Sequence, residues 1–244
     1  MKIKILHLFP DLLDWYFDSG NILCMRKRLE WRKIDCEVIS VRQNDPFVDL
    51  SDIDIILIGG GVDDSQRYAC KSLLGYKNEL NRYIDDEGSL LAICGGYQLL
   101  GNYYKLRDET IKGLEILDIC TEIHDGRLVG DVILETDFLK KPYNFVVGFE
   151  NHGGRTYIGS HKPFGKVIYG NGNSDKCGYD GVIYKNLIGT YLHGPLLPKN
   201  PALCDCILTN ALKRRYKNFE KLIPLDDALE LQAHNFILNR YLKK

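Results

Sequence analysis

The stretch Ser89-Leu90-Leu91-Ala92-Ile93-Cys94-Gly95-Gly96-Tyr97-Gln98-Leu99-Leu100-Gly101 decides how the rest of the chain is read. A short apolar run ends at a cysteine, glycines follow at once, and an apolar pattern of helical period begins. A strand, a tight turn and a helix read this way in sequence. The turn takes glycine because its backbone must fold sharply and approach its neighbours without a Cβ. Cys94 is thereby placed at the carboxyl end of a strand and the positive end of a helix, where a thiolate is favoured. This is the arrangement of a nucleophile elbow, with Cys in place of Ser. A cysteine taken singly is more often a small buried hydrophobe. The glycines pressed against this one favour the nucleophile.

Working back from the elbow, Ile3 to Phe9, Cys36 to Val41 and Asp52 to Ile58 read as strands, the last with the continuous apolar pattern of a buried parallel strand. Gly20 to Ile34 reads as an amphipathic helix. Ile22, Met25, Leu29 and either Trp31 or Ile34 face the core, with Arg26, Lys27, Arg28, Arg32 and Lys33 outward as a solvated face. Asp63 to about Ile84 reads as one long helical segment. Strands alternating with helices predict an α/β fold with a doubly wound, mostly parallel sheet flanked by helices, its ligand site at the carboxyl ends of the strands.

Beyond Lys112 the texture changes to short β-rich runs: Leu114 to Thr121, Arg127 to Leu134, Asn144 to Gly148, Val167 to Tyr169, Gly181 to Tyr184 and Leu187 to Leu192. These read as additional antiparallel strands within a single domain spanning residues 1–244, closed by helices near Pro201 to Tyr216 and Leu225 to Leu242. A chain of 244 residues, 45% hydrophobic and 27% charged, has material for a full core, and a net charge of -1 gives no field to attract nucleic acid or anionic lipid. No apolar run approaches the ~20 residues of a membrane span. Met1-Lys2-Ile3-Lys4 runs into a short apolar segment broken at Phe9-Pro10-Asp11, unlike a secretory leader, so a cytoplasmic protein with free thiols is expected. Cys204-Asp205-Cys206 is too tight for a zinc pair, and no metal is assigned.

Gly59-Gly60-Gly61 follows the third strand with bare backbone N–H groups, but no Lys-Ser/Thr follows to make a P-loop. An N–H from this loop together with that of Gly95 would suit an oxyanion formed when Cys94 attacks a carbonyl. A cysteine nucleophile also needs a base. Among the six histidines, His193 closes the late strand Leu187-Ile188-Gly189-Thr190-Tyr191-Leu192-His193-Gly194. His152 is the rival, in Gly148-Phe149-Glu150-Asn151-His152-Gly153-Gly154-Arg155-Thr156, a segment too glycine-rich for an ordinary strand.

Taken in order, the triple glycine, Cys94-Gly95-Gly96-Tyr97-Gln98, the Phe149–Thr156 segment and Tyr191-Leu192-His193-Gly194-Pro195 resemble a class I glutamine amidotransferase domain, in the branch related to cobyric acid synthase. The resemblance covers nearly the whole chain. It implies that Cys94 is the nucleophile and His193 the general acid/base, with Gly60 or Gly61 and Gly95 as oxyanion donors. It further implies that Gln98 and Asn151, His152, Gly153 and Gly154 line a pocket for L-glutamine, with Arg127 on the substrate. Members usually carry a glutamate two residues after the histidine, where this chain has Pro195. Either a dyad suffices or a carboxylate comes from elsewhere, and the expectation is that a partner subunit supplies or organises it. The resemblance implies a glutaminase subunit with no cofactor of its own. Ammonia would pass to a Mur-ligase-like synthetase in a heterodimer, that partner holding ATP and magnesium and amidating the D-glutamate α-carboxyl of lipid II at the inner face of the membrane. The other readings are service to a cobyrinate-type ligase and a non-catalytic glutamine-binding subunit.

Overall fold

A computed structural model describes residues 1–175 and 177–242. The chain runs β1 (Lys2–Leu8), α1 (Ser19–Trp31), β2 (Asp35–Val41), β3 (Ile55–Ile58), α2 (Asp63–Leu74), α3 (Lys77–Asp85), β4 (Ser89–Ile93) and α4 (Gly95–Leu99). It continues through β5 (Tyr103–Lys105), β6 (Thr110–Lys112), β7 (Cys120–Glu135), β8 (Phe145–Tyr157), β9 (Gly165–Tyr169) and β10 (Tyr179–Asp180). β11 (Val182–Tyr184), β12 (Leu187–Thr190), α5 (Pro201–Arg215) and α6 (Ala228–Leu242) complete it.

Among the described residues the strands form two six-stranded sheets. The first has the order β11-β12-β4-β3-β1-β2 and is parallel except for the β11–β12 pair. Its central strands β3 and β4 are buried at every position, as their unbroken apolar sequences require. The second has the order β10-β9-β7-β5-β6 with β8 along β7, and is antiparallel apart from β5–β7. The α/β, mostly parallel sheet with added antiparallel strands is therefore the fold that forms. Because β3, β4 and β12 are neighbours running the same way, the segments after Ile58, Ile93 and Thr190 emerge at one end of the sheet. That end carries Gly59-Gly60-Gly61, Cys94 and His193.

Several local expectations are corrected. The segment from Asp63 to Ile84 is two helices broken at Gly75–Tyr76, and Leu114 to Ile119 is loop. The glycine-rich stretch through His152 is strand: β8 pairs with β7 from Phe145 to His152 and from Gly154 to Tyr157, with one irregularity at Gly153 opposite the β7 bulge. In α1, Ile22, Met25 and Leu29 are buried as expected, Ile34 beyond the helix is buried, and Trp31 points to solvent. Arg28 and Arg32 are not on a solvated face: both are buried. Arg28 grips Asp205 of α5 through Nε (2.7 Å) and Nη2 (2.9 Å), and Asp227, just before α6, through Nη1 (2.5 Å). Arg32 Nη2 reaches the same Asp205 at 2.6 Å. The acid inside the Cys204–Cys206 segment thus anchors α1, which is what a buried guanidinium demands.

Truncating Arg28 to Ala removes this clasp but leaves aspartates that are still about a quarter exposed and can rehydrate. The expected loss in urea unfolding is roughly 2–3 kcal/mol, below the 3–5 of a fully buried pair. Lys27→Ala, on the exposed face, should stay within about 0.5 kcal/mol.

Candidate active site

Cys94 sits at φ 49°, ψ −107°, a left-handed conformation that costs an L-residue about 1–3 kcal/mol. Neighbouring backbone bonds hold it there: Cys94 N–H donates to Thr190 O (2.8 Å), Gly96 N–H to Gly59 O (3.0 Å) and Gln98 N–H to Cys94 O (2.9 Å). The helix that follows is only Gly95–Leu99, so its influence on Cys94 is that of a few adjacent N–H groups, not of a long macrodipole.

His193 is fully buried beside Cys94. A Cβ on Gly60 would lie 2.8 Å from His193 Cε1 and 3.1 Å from Cys94 Cβ, so glycine is the residue that lets this loop close over both. The backbone of His193 is paired to Phe149 of β8, N–H to O at 2.8 Å and O from N–H at 3.3 Å, which joins the two sheets at the site. His193 Nδ1 lies 3.4 Å from Asp18 Oδ1, and Nε2 has no hydrogen-bond partner. Burial pulls the imidazole pKa down, but the Cys94 sulfur and the Asp18 carboxylate overcome it and hold it up at about 10. The Tyr16 ring packs over the imidazole with centroids 4.5 Å apart.

Of the expectation that a partner supplies or organises the carboxylate, the supply is corrected: an acid at His193 comes from this chain, immediately before α1. The residue in the usual glutamate position, Pro195, packs against Gly20, where a Cβ would meet Pro195 Cγ at 2.5 Å. Proline and glycine thus seat the start of α1 against the His193 segment and bring Asp18 to the imidazole. Asp18 Oδ2 accepts the Gly60 N–H at 2.8 Å. This bears against Gly60 as an oxyanion donor, since its N–H is already engaged. The N–H groups of Gly61 and Gly95 have no acceptor among the described residues.

A pocket of about 240 Å³ opens over Cys94. Of the residues singled out in the sequence, Cys94, Gln98, Arg127, Asn151, His152, Gly153 and Gly61 are in its wall. Gly154 is behind it, against Gln98 and Tyr191. Arg127 stands where the β7–β8 register shifts between Ile123 and Leu128, a bulge that turns the side chain across the strand pair. Its Nε donates to Asn151 Oδ1 and its Nη2 to Asn151 O, both at 2.9 Å. Asn151 in turn donates to Tyr16 Oη at 2.6 Å. His152 stacks on Tyr191 at 3.6 Å and lies 2.7 Å from Gly154 O and 3.4 Å from Glu150 Oε2. Burial raises the Glu150 pKa, but His152, Asn171 and Gly172 more than offset this and leave it below the ordinary value. His152 is thus locked in the pocket wall by its own partners, whereas His193 packs with Cys94 around Gly60. Gln98 Nε2 donates to Tyr191 Oη (3.0 Å) while its buried Oε1 has no partner.

Sequence reading missed Asp18, Trp15, Tyr16, Asp63, Gln66 and Tyr104. Asp18 had a signal, an acid before a helix that reads as an N-cap. It makes no cap bond, however, because its oxygens are spent on Gly60 and His193.

A sequence model of the CobB/CobQ-like glutamine amidotransferase domain matches residues 4–201. The chain belongs to this family. Within it, the chain is 41% identical over 240 residues to the lipid II isoglutaminyl synthase (glutamine-hydrolyzing) subunit GatD of Staphylococcus aureus (strain N315), covering 98% of this chain and 96% of that protein. It is 37% identical over 231 residues to the subunit of the same name from Streptococcus pneumoniae (strain ATCC BAA-255 / R6), covering 93% and 87%. The solved structure of PurLQS from Thermotoga maritima shares the fold at a TM-score of 0.54 and 14% identity, covering 98% of this chain and 100% of that one.

The proton on His193 links stability to pH. With the pKa raised from 6.5 to about 10, its contribution is complete below pH 6.5 and is lost as pH rises through about 10. The thermal midpoint, followed by scanning fluorimetry, should fall more steeply across that window in the wild type than in His193→Gln. Equal slopes would show that His193 takes up no extra proton on folding.

Proposed function

We propose that the chain is a glutaminase subunit that hydrolyses the side-chain amide of L-glutamine to glutamate and ammonia, the ammonia serving an ATP-dependent amidating partner. The observation that carries this reading is a strained cysteine beside a buried histidine, itself oriented by an aspartate, at the floor of a pocket sized for an amino acid and bearing Arg127.

The Cys94 thiolate attacks Cδ, and the N–H groups of Gly61 and Gly95 receive the negative charge that develops on the amide oxygen. His193, protonated by virtue of its raised pKa, gives its proton to the departing nitrogen, releasing ammonia and leaving a γ-glutamyl thioester on Cys94. The neutral imidazole then takes a proton from water, which attacks the thioester, and glutamate leaves as the thiolate re-forms. Asp18 steadies the imidazolium through both steps and fixes which ring nitrogen faces Cys94. Arg127, held by Asn151 and free of any carboxylate partner among the described residues, meets the substrate α-carboxylate.

The relatives named as lipid II isoglutaminyl synthase subunits support a partner subunit; in our reading that partner is a Mur-ligase-like synthetase of the MurT type in a heterodimer, which would hold ATP and magnesium and amidate the D-glutamate of lipid II. This chain then needs no cofactor. No helix among the described residues is long and apolar enough to cross a membrane. A cytoplasmic subunit, brought to the membrane face by its partner's lipid-linked substrate, fits that assembly.

The test is glutamate release from glutamine by the chain alone and with such a partner. Because Asp18 is already in place, the free chain should turn over. Cys94→Ala and His193→Ala should abolish release, and Asp18→Asn should lower kcat about 100-fold, the lower end of what a positioned acid–base group contributes. Identical behaviour of wild type and Cys94→Ala in every setting would replace this reading with a non-catalytic glutamine-binding subunit.

A further inference from the structure

Glutamine carries two opposite charges on the carbon farthest from its amide, and a pocket that takes it out of water must meet both or lose affinity. Arg127 answers the carboxylate. The structure offers a second charged group for the ammonium. Apart from histidine and cysteine, Arg127 and Asp63 are the charged residues in the pocket wall.

We propose that Asp63 binds the α-ammonium group of the substrate and makes the site selective for free glutamine over amides that lack this charge. The inference rests on the reading of this pocket as a glutamine site. Asp63 opens α2, right after the glycine loop, and is half-buried. Tyr104 of β5, itself buried, donates its hydroxyl to Asp63 Oδ1 at 3.2 Å. This bond, from the second sheet, fixes the carboxylate's direction and leaves Oδ2 without a side-chain partner. Burial and the nearby Asp63 carboxylate push the Tyr104 hydroxyl far above its ordinary pKa, so it remains a donor.

The neighbouring acid behaves differently. Asp64 is exposed and takes Arg67 as an ion-pair partner at 2.8 Å, as a surface acid on a helix does. Among the described residues Asp63 has no cationic partner, and it is not paired with Arg127 across the pocket. An acid and a guanidinium that share one small cavity, each uncompensated, are complementary to a zwitterion. The positions are also consistent with the chemistry. Cys94 is at the floor, where the amide must sit, while Arg127 comes from the β7 bulge and Asp63 from α2.

The experiment compares glutamine with glutaramic acid, the same amide and carboxylate without the amino group, and with Nα-acetylglutamine. Wild type should prefer glutamine strongly. Asp63→Asn keeps the shape and the Tyr104 contact but removes the charge. It should lower kcat/KM for glutamine about 30-fold, almost all through KM, and change glutaramic acid less than about twofold. Asp64→Asn should leave both substrates unchanged. Calorimetric titration of Cys94→Ala with glutamine, in the presence and absence of Asp63→Asn, reads binding apart from turnover and should show the same loss.

An unchanged glutamine-to-glutaramate ratio in Asp63→Asn overturns the proposal. So does an equal loss on both substrates, which would make Asp63 a support for the loop. Failure of the glutaminase reading itself looks different: wild type would hydrolyse neither compound, while the titration still reports whether Asp63 holds the ammonium.

Discussion

One carboxylate ties the active end of this molecule together. Asp18 accepts from the Gly60 N–H with one oxygen and faces His193 Nδ1 with the other, and its side chain is fully buried. Three chain segments distant in sequence therefore meet on a single side chain: the entry to α1, the loop after β3 and the turn after β12. A carboxylate so enclosed is tolerable only when its lone pairs are filled, and a protonated imidazole and a backbone N–H fill them. The constraint runs both ways. The imidazole keeps its proton because of the neighbouring negative groups, and the aspartate keeps its charge satisfied because of the imidazole and the loop.

The sheet supplies the other half of the geometry. Parallel neighbours β3, β4 and β12 deliver their carboxyl ends side by side, which is where open α/β sheets place their ligands. The antiparallel sheet then builds the wall that such a site lacks at its open edge. β8 reaches His193 through its backbone at Phe149 and presents Asn151, His152 and Gly153 to the pocket only a few residues further on. Arg127 leans on Asn151, and Asn151 on Tyr16, which covers His193. The Arg127 guanidinium and the His193 imidazole are thus linked through Asn151 and Tyr16 by direct contacts. His152 plays a different part, since stacking on Tyr191 and the flanking Glu150 make it a stiffener of the wall.

What could be read from sequence follows from how local each signal is. The elbow at Cys94 was legible because strand, turn and helix leave their marks within thirteen consecutive residues. So was His193, although β12 ends at Thr190, short of the expected Leu192, and the histidine lies in the turn beyond it. β8 was read as a strand only as far as Gly148, because the glycines at 153 and 154 argue against one beyond it, yet long pairing with β7 overrides propensity. Arg28 and Arg32 were misread because a helix wheel separates charged from apolar faces but does not know that Asp205 and Asp227 wait across the interface. Asp18 was the largest omission, since its partners lie 42 and 175 positions away. No window of sequence contains that relation.

Pro195 shows why the omission matters physically. A glutamate two residues after the histidine would orient the ring from within its own loop, independent of anything else. Here the carboxylate rides on α1, and its position is only as good as the seating of that helix. The fold fixes α1 at both ends. Gly20 lies against Pro195 at the start, closer than any side chain would allow. Arg28 and Arg32, two and three turns along, are bolted to Asp205 of α5 and Asp227 before α6. Buried ion pairs of this kind add little net stability but are costly to break in part, and so they fix register more than they strengthen the fold. Moving the orienting acid onto a helix therefore explains features that otherwise look unrelated: a proline where an acid is usual, a glycine beneath it, and buried arginines on a helix whose remaining basic residues face water.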